Sequence, residues 1–266
     1  MPREITAFSN PLVKRVRSLR DKKHRRDEGL FLAEGLRILT EAREAGHLPE
    51  FLFFAKGNDT HPLAAELIAA TETAGGEVIQ TDSDILAKLS GKDNPGAVVG
   101  VYRELATDLA RLERSAAPLW LVAERLRDPG NLGTILRTAD AVGAGGLILV
   151  DECVDPFSVE AVRASMGALF TIPIARAPWD KFHAWLRTGP GQLVGLALEG
   201  AVDYRAPDFA APVFLLTGNE AHGLPPAYAQ ACDVRVKIPM LGKADSLNAA
   251  VATAVMAYAV IDRIRP

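Results

Sequence analysis

The second half of this 266-residue chain repeats a pattern that few architectures can absorb. Short apolar runs recur there: "LWLVAE" (119–124), "GLILV" (146–150), "LVGLAL" (193–198), "VFLLT" (213–217) and "VRVKIPM" (234–240). Most of them lack the apolar–polar alternation of a strand with one wet face, so they are expected to be buried on both sides. Helical patterns lie between most of them, and strands that alternate with helices form a mostly parallel sheet covered by helix on both faces. The closing stretch, residues 246–263, is apolar almost all round, which predicts a helix buried against the sheet or against another subunit.

The front half also alternates, but on a smaller scale: "GLFLAEGLRILTEAREAG", "FLFFA", "PLAAELIAATETAGG", "EVIQT", "DILAKL" and "AVVGVY". This is the signature of a small α/β layer structure ending near Tyr102. The charged, alanine-rich "RELATDLARLERSAAP" that follows reads as a helical linker closed by Pro118. The expected organisation is a first domain over residues 1–102, a linker over 103–117 and a second domain over 118–266.

The composition, 48% hydrophobic and 24% charged, supports a proper core. The longest nearly apolar run, 247–261, is shorter than the roughly 18 residues of a membrane span, and the N-terminus lacks the apolar stretch of a secretory signal. A cytoplasmic protein without a membrane partner is expected. Cys153 and Cys232 form no CxxC pair, and the five histidines never fall at helical ligand spacing, so neither a disulfide nor a metal is expected. The net charge of −3 conceals an asymmetry, because residues 14–26 carry eight cations against the single acid Asp21. A solvated helix face is the plain explanation for such a run. Lys14, Arg15, Arg17, Arg20, Lys22, Lys23, Arg25 and Arg26 so close together point instead to the phosphates of a nucleic acid.

Three loops of the second half carry the candidate chemistry. In "RDPGNLGTILRTADAVGAGG" (127–146), Asp128 suits an N-cap and Pro129 the first helical position. Leu132, Ile135, Leu136, Ala139 and Val142 then form a buried stripe, leaving Asn131, Thr134 and Arg137 on the other side. The glycines at 130 and 133 match neither GxGxxG nor a P-loop, so a nucleotide-dependent oxidoreductase is disfavoured. In "VFLLTGNEAHGLPP", a strand ends at Thr217, and Gly218, Asn219 and Glu220 turn immediately beyond it, where glycine permits close backbone approach. In "VKIPMLGKADSLNAAVATAVMAYAV", a strand reaches Ile238, and Ser246 and Asn248 are expected as buried polar groups in or beside the first turn of an oily helix. Capping by Asp245 or Ser246 is the bland alternative.

In this order and at this spacing, the three loops resemble the motifs of the SpoU/TrmH family of RNA ribose 2'-O-methyltransferases. "SVEAVRASMGALFTIPI" (158–174) resembles the family's segment between the first and second motifs, and the likeness covers 118–266. The segment from "NPLVKRVRSLRDKKHRRDEGLFLAEGLRIL" is similar to the substrate-binding domain of ribosomal-RNA members, including the thiostrepton-resistance type. The resemblance implies an α/β trefoil-knot domain with a mostly parallel sheet, preceded by a small α/β ribosomal-protein-like domain, and a homodimer. It implies S-adenosylmethionine held by Thr217, Gly218, Ile238, Met240, Leu247 and Asn248, and a catalytic face of Asn131, Arg137, Glu220, Ser246 and Asn248. RNA, by preference ribosomal and specifically 23S, would be held by Lys14, Arg15, Arg17, Lys22, Lys23, Arg25, Arg26 and Arg163. A tRNA substrate and a non-catalytic RNA-binding protein are the alternatives. Ala221 stands where many members have glycine, and Ala249 and Ala250 stand where Val and Ser are common; all three are small.

The implied reaction is an in-line displacement by a ribose 2'-oxygen on a sulfonium methyl group. A guanidinium stays protonated in proteins, so Arg137 is read first as a clamp on phosphate and developing negative charge, with base action as the alternative drawn from the family.

Overall fold

The computed structural model describes residues 2–92 and 96–264, and the chain divides into two compact units. The first holds the chain up to Leu105 together with Asp155–Thr171, and the second holds Ala106–Val154 and Ile172–Pro266.

The first unit opens with β1 (Arg3–Ile5), α1 (Pro11–Ser18) and α2 (Lys22–Glu28). Asn10 caps α1 by accepting from the Leu12 amide, and Asp21 caps α2 by accepting from Lys23. The basic segment is therefore two short capped helices. Val13, Val16 and Leu19 face the core, while Lys14, Arg17, Lys22, Lys23 and Arg26 face water. β2 (Leu30–Glu34), α3 (Leu36–Glu44), β3 (Phe51–Ala55), α4 (Pro62–Thr73), β4 (Glu77–Thr81), α5 (Ser83–Ser90) and β5 (Val98–Arg103) follow. They form a mixed sheet of order β1-β4-β3-β5-β2. The "FLFFA" run lies at its centre as β3, parallel to β4 and antiparallel to β5, which is why it carries no polar residue.

The second unit is built on β6 (Leu119–Glu124), α6 (Pro129–Val142) and β7 (Leu147–Val150). The chain then leaves it. α7 (Val159–Ser165) and α8 (Ala168–Thr171) belong to the first unit, where Phe157 and Phe170 pack against Phe31 at centroid distances of 5.1 and 5.8 Å. Asp155 meets Arg25 there at 2.6 Å, and both are buried. Back in the second unit come β8 (Ile174–Ala177), α9 (Trp179–Arg187), β9 (Gln192–Leu196), β10 (Val202–Asp203), β11 (Val213–Thr217), α10 (Pro226–Ala231), β12 (Val234–Lys237) and α11 (Ala249–Ile264). The sheet order is β10-β12-β9-β11-β6-β7-β8, and every pair is parallel. All strand C-termini consequently emerge on one side, the side on which open parallel sheets place their ligands. From β12, near one edge, residues 238–248 return the chain to the centre, where α11 packs on α6, β11 and β6.

Two sequence expectations need correction. The alanine-rich 103–117 segment is no helix but two single 3₁₀ turns, Leu109–Arg111 and Arg114–Ala116. Its backbone is used elsewhere, since Thr107 accepts from Arg176 at 2.9 Å and Asp108 bridges to Arg176, covering the edge of β8. The last helix begins at Ala249 rather than near Ser246, and within one chain it is buried on one side. Thr253, Met256, Ala257, Val260 and Ile261 are buried, whereas Val251, Val255 and Tyr258 form an apolar stripe that is 36–52% exposed.

Candidate active site

The first loop folds as its residue types require. Asp128 accepts from the Asn131 amide at 2.6 Å, Pro129 opens α6, and Gly143 closes it with φ 66°, a left-handed conformation natural to glycine. The expected apolar stripe is buried, and Asn131 sits at the mouth of the helix. From there a chain of side-chain hydrogen bonds joins all three loops. Asn131 Nδ2 donates to Glu220 Oε1 at 3.1 Å, and Asn248 Nδ2 donates to Asn131 Oδ1 at 2.9 Å. Asn248 Oδ1 in turn accepts from the amides of Ala250 (2.9 Å) and Val251 (3.3 Å), capping α11. Asn248 thus takes the capping role weighed for Asp245 or Ser246. Ser246 and Asn248 are exposed, so the expectation that they are buried fails, and their role follows from hydrogen bonding instead.

Glu220 is further held by the amides of Arg127 and Asp128, both at 3.4 Å. Three donors converge on this carboxylate, which suits it to fixing loops rather than to removing a proton. Arg137 lies farther along α6, exposed, and no hydrogen bond joins it to the trio. Ser246 reaches only Asp245, at 3.5 Å. The structure therefore ties Asn131, Glu220 and Asn248 together and leaves Arg137 and Ser246 exposed outside this network.

The second loop turns back on itself. A Cβ on Gly218 would lie 2.3 Å from the Gly223 carbonyl carbon and 2.4 Å from the Leu224 amide nitrogen, so only glycine fits. Asn219 organises the turn, accepting from Ala221 at 2.9 Å and His222 at 3.3 Å and donating to the Arg125 carbonyl at 2.9 Å. Its own amide donates to Glu124 Oε2 at 3.3 Å. In the sequence Glu124 is no more than the last residue of a strand. It is 1% exposed, its Oε1 has no hydrogen-bond partner, and burial raises its pKa above the usual carboxylate value. Thr217, at the end of β11, meets Thr253 of α11 at 2.8 Å. Because Thr253 donates to the Ala249 carbonyl, Thr217 supplies the proton between them and anchors α11 to the sheet.

Ile238 and Met240 are half-buried, and Leu247 is 39% exposed, so the third loop offers apolar surface. β9, β11 and β12 end together: Leu216 is paired with Gly195, Val236 with Leu196, and the Ala197 amide donates to the Val236 carbonyl at 3.0 Å.

The basic segment divides. Lys14, Arg17, Lys22, Lys23 and Arg26 are exposed. Arg17 also lines a cleft of about 1090 Å³ with Arg20, His24, Lys88 and Lys92. Lys88 and Lys92 were invisible as partners because they lie some seventy residues on. Arg15 is held by Glu28 at 2.5 Å. Arg25 is withdrawn from the RNA-binding set: it is 3% exposed and spends its guanidinium on Asp155 and on the carbonyls of Leu19 and Arg20. Arg163 is part-exposed and donates to Glu34 at 3.0 Å.

Residues 118–258 match the model of the SpoU rRNA methylase family, and residues 10–100 match an MRM3-like substrate-binding domain. The chain belongs to the SpoU rRNA methylase family. It is accordingly an RNA methyltransferase. It is 37% identical to a 23S rRNA (uridine(2479)-2'-O)-methyltransferase of Streptomyces viridochromogenes, over 92% of this chain and 88% of that one. An AdoMet-bound rRNA methyltransferase of Sinorhizobium meliloti superposes with a TM-score of 0.92 at 40% identity, over 99% of both chains. The SpoU methyltransferase AviRb of S. viridochromogenes in complex with AdoMet gives 0.86 at 34%, covering 95% of this chain and 97% of that one.

The loops fit an S-adenosylmethionine cofactor. Gly218 lets the second loop fold tightly back on Gly223 and Leu224, Ile238, Met240 and Leu247 would supply apolar surface for an adenosyl group, and Asn248 would add neutral polar atoms.

Proposed function

We propose that this protein methylates a ribose of 23S ribosomal RNA, with the three hydrogen-bonded loops of the second unit as its active site. The chemistry is that of an S-adenosylmethionine-dependent RNA ribose 2'-O-methyltransferase. The observation that carries the assignment of residues is the relay Glu220–Asn131–Asn248, which locks the substrate-side loop to both cofactor-side loops.

When bound, the cofactor supplies an electrophilic methyl group. Thr217, Gly218, Ile238, Met240, Leu247 and Asn248 hold it, and Asn131 and Glu220 keep the loops in register, so that attack needs no further ordering. Arg137 clamps the phosphate of the target nucleotide and stabilises negative charge developing on the 2'-oxygen. Ser246, whose exposed hydroxyl makes only a long bond to Asp245, hydrogen-bonds the ribose. Arg17 and its neighbours in the first-unit cleft, with Lys14, Lys22, Lys23 and Arg26, hold the RNA backbone.

The exposed Val251–Val255–Tyr258 stripe on α11 supports a homodimer, because an apolar face on an otherwise packed helix calls for a covering surface. A cytoplasmic location follows from a ribosomal substrate.

The test is transfer of labelled methyl groups from S-adenosylmethionine to unmodified 23S rRNA and to tRNA, followed by mapping of alkali-resistant linkages. One labelled ribose in 23S rRNA is expected. Labelling of tRNA alone would redirect the substrate, and cofactor binding without transfer to either RNA would rule out both as substrates.

A further inference from the structure

Beyond the three motif loops, the C-terminal ends of β6, β7 and β8 form a second feature that the proposed chemistry does not use. Their register continues past the strands, since the Arg125 amide donates to the Val150 carbonyl at 3.1 Å and the Asp151 amide to the Ala177 carbonyl at 3.0 Å. At the same level the backbone turns sharply at two non-glycine residues, Arg125 (φ 45°) and Asp151 (φ 60°). Side chains other than glycine's are disfavoured there, and such strain persists where the surroundings enforce it, often at binding sites.

Between these turns and Pro178 lies a cleft of about 600 Å³, lined by Arg125, Arg127, Arg176, Asp151 and Glu152 among others. A space of that size takes a nucleotide rather than a bare anion. The charges in it are not balanced internally. Asp151 spends both carboxylate oxygens on the protein, accepting from the Trp179 amide at 2.9 Å and from the Tyr228 hydroxyl at 2.8 Å. Tyr228 is itself fixed by stacking on Trp179 at 3.9 Å, so the wall behind Asp151 is rigid. Among the described residues the guanidiniums of Arg127 and Arg176 have no hydrogen-bond partner, and that of Arg125 has only the 3.4 Å contact with Glu124. Three cations thus face a pre-shaped cleft with Glu152 as the one uncommitted acid.

The geometry points to this cleft as a seat for the RNA backbone next to the target nucleotide, with Arg125, Arg127 and Arg176 each facing a phosphate. This rests on the chain acting on RNA. Arg127 immediately precedes the Asp128 cap of the Asn131 helix, and Arg125 and Arg127 also line the neighbouring cavity with Asn219 and His222. A strand in the cleft therefore continues towards the motif loops. Arg125 and Arg176 lie outside the three loops and Arg127 opens the first of them, but none of the three side chains is among those assigned to the cofactor or to the catalytic face, so the cleft would set which RNA is accepted rather than whether methyl transfer occurs.

The experiment compares the intact protein with Arg127→Gln/Arg176→Gln, leaving the strained Arg125 in place, and with Arg127→Lys/Arg176→Lys. Binding to a single-stranded oligouridylate is followed over a salt series, cofactor affinity by calorimetry, and methyl transfer to 23S rRNA separately. The glutamine pair should bind oligouridylate several-fold more weakly, with a log–log salt slope reduced by about 1.4, the value for two lost single-strand phosphate contacts. The lysine pair should restore most of the slope, and cofactor affinity should stay unchanged in both. An unaltered slope in the glutamine pair overturns the cleft even if the wild type methylates rRNA. A loss that lysine does not restore, or that comes with a lowered Tm, also counts against it. A reduced slope in a protein that transfers no methyl group to 23S rRNA would keep the cleft and remove 23S rRNA as the substrate.

Discussion

The proposed catalytic face of the second unit and the basic arm of the first handle polar side chains in opposite ways. On the catalytic face the residues are short, and they are bonded to one another: Asn131, Glu220 and Asn248, from three distant stretches of sequence, leave no polar atom to drift. On the arm the residues are long, and most of their charges end in water. Chemistry at one ribose needs atoms fixed in place beforehand, whereas attraction to a phosphate chain needs only charge within reach. Arg25 and Arg137 exchange these habits. Arg25, in the arm, is locked away, and Arg137, on the catalytic helix, is free.

The contrast breaks most visibly at Arg137. Arg137→Ala should lower methyl transfer on the order of 10²–10³-fold, the usual cost of losing one charge-stabilising donor. Cofactor affinity measured by calorimetry should remain within a few-fold. Undiminished turnover would remove Arg137 from the reaction. Next comes Arg25→Ala, which should cost about 3–5 kcal/mol of stability in urea titrations, because it strands the buried Asp155 carboxylate. A loss below 1 kcal/mol would mean that Arg25 belongs with the solvated cations after all.

At the arm itself, Lys14→Gln, Arg17→Gln, Lys22→Gln and Lys23→Gln together should leave Tm nearly unchanged and flatten the salt dependence of RNA binding. An unchanged salt slope would return the arm to the status of a solvated face. The smallest effect sharpens the comparison inside the second unit. Burial raises the Glu124 pKa in the folded state, so the native protein holds this proton more tightly than the unfolded chain. Its contribution to stability is then full at low pH and declines as pH rises through the raised value. Glu124→Gln should abolish that decline in a Tm–pH profile and match or exceed the wild type at pH 7. A steeper decline in the variant would show that the ionised carboxylate is the stabilising form.

The same comparison explains what could be read from sequence. The α6 start was legible because Asp128, Pro129 and the 132–142 apolar stripe are local signals, and the strands were legible because central parallel strands tolerate so little polarity. The arm was legible as a charge count, but the count could not see that Asp155, 130 positions away, claims one arginine and Glu28 another. Lys88 and Lys92 join the arm's cleft only through folding. Of the catalytic face, the motif positions were legible through their resemblance to a family. The relay between them was not, because it depends on how three strand ends meet. Asn248 was misjudged as buried for the same reason, since composition alone cannot separate a capping residue in water from a polar group in an oily helix.

The excursion of Asp155–Thr171 into the first unit has a consequence for inheritance. The chain passes between the two units three times, after Leu105, Val154 and Thr171. A recombination joining the front of one relative to the back of another would part Arg25 from the carboxylate it was selected with, and Phe31 from Phe157 and Phe170. The substrate-binding half cannot therefore be traded as a cassette. Any lineage that exchanged it had to carry the 155–171 segment along or rebuild the seam one residue at a time.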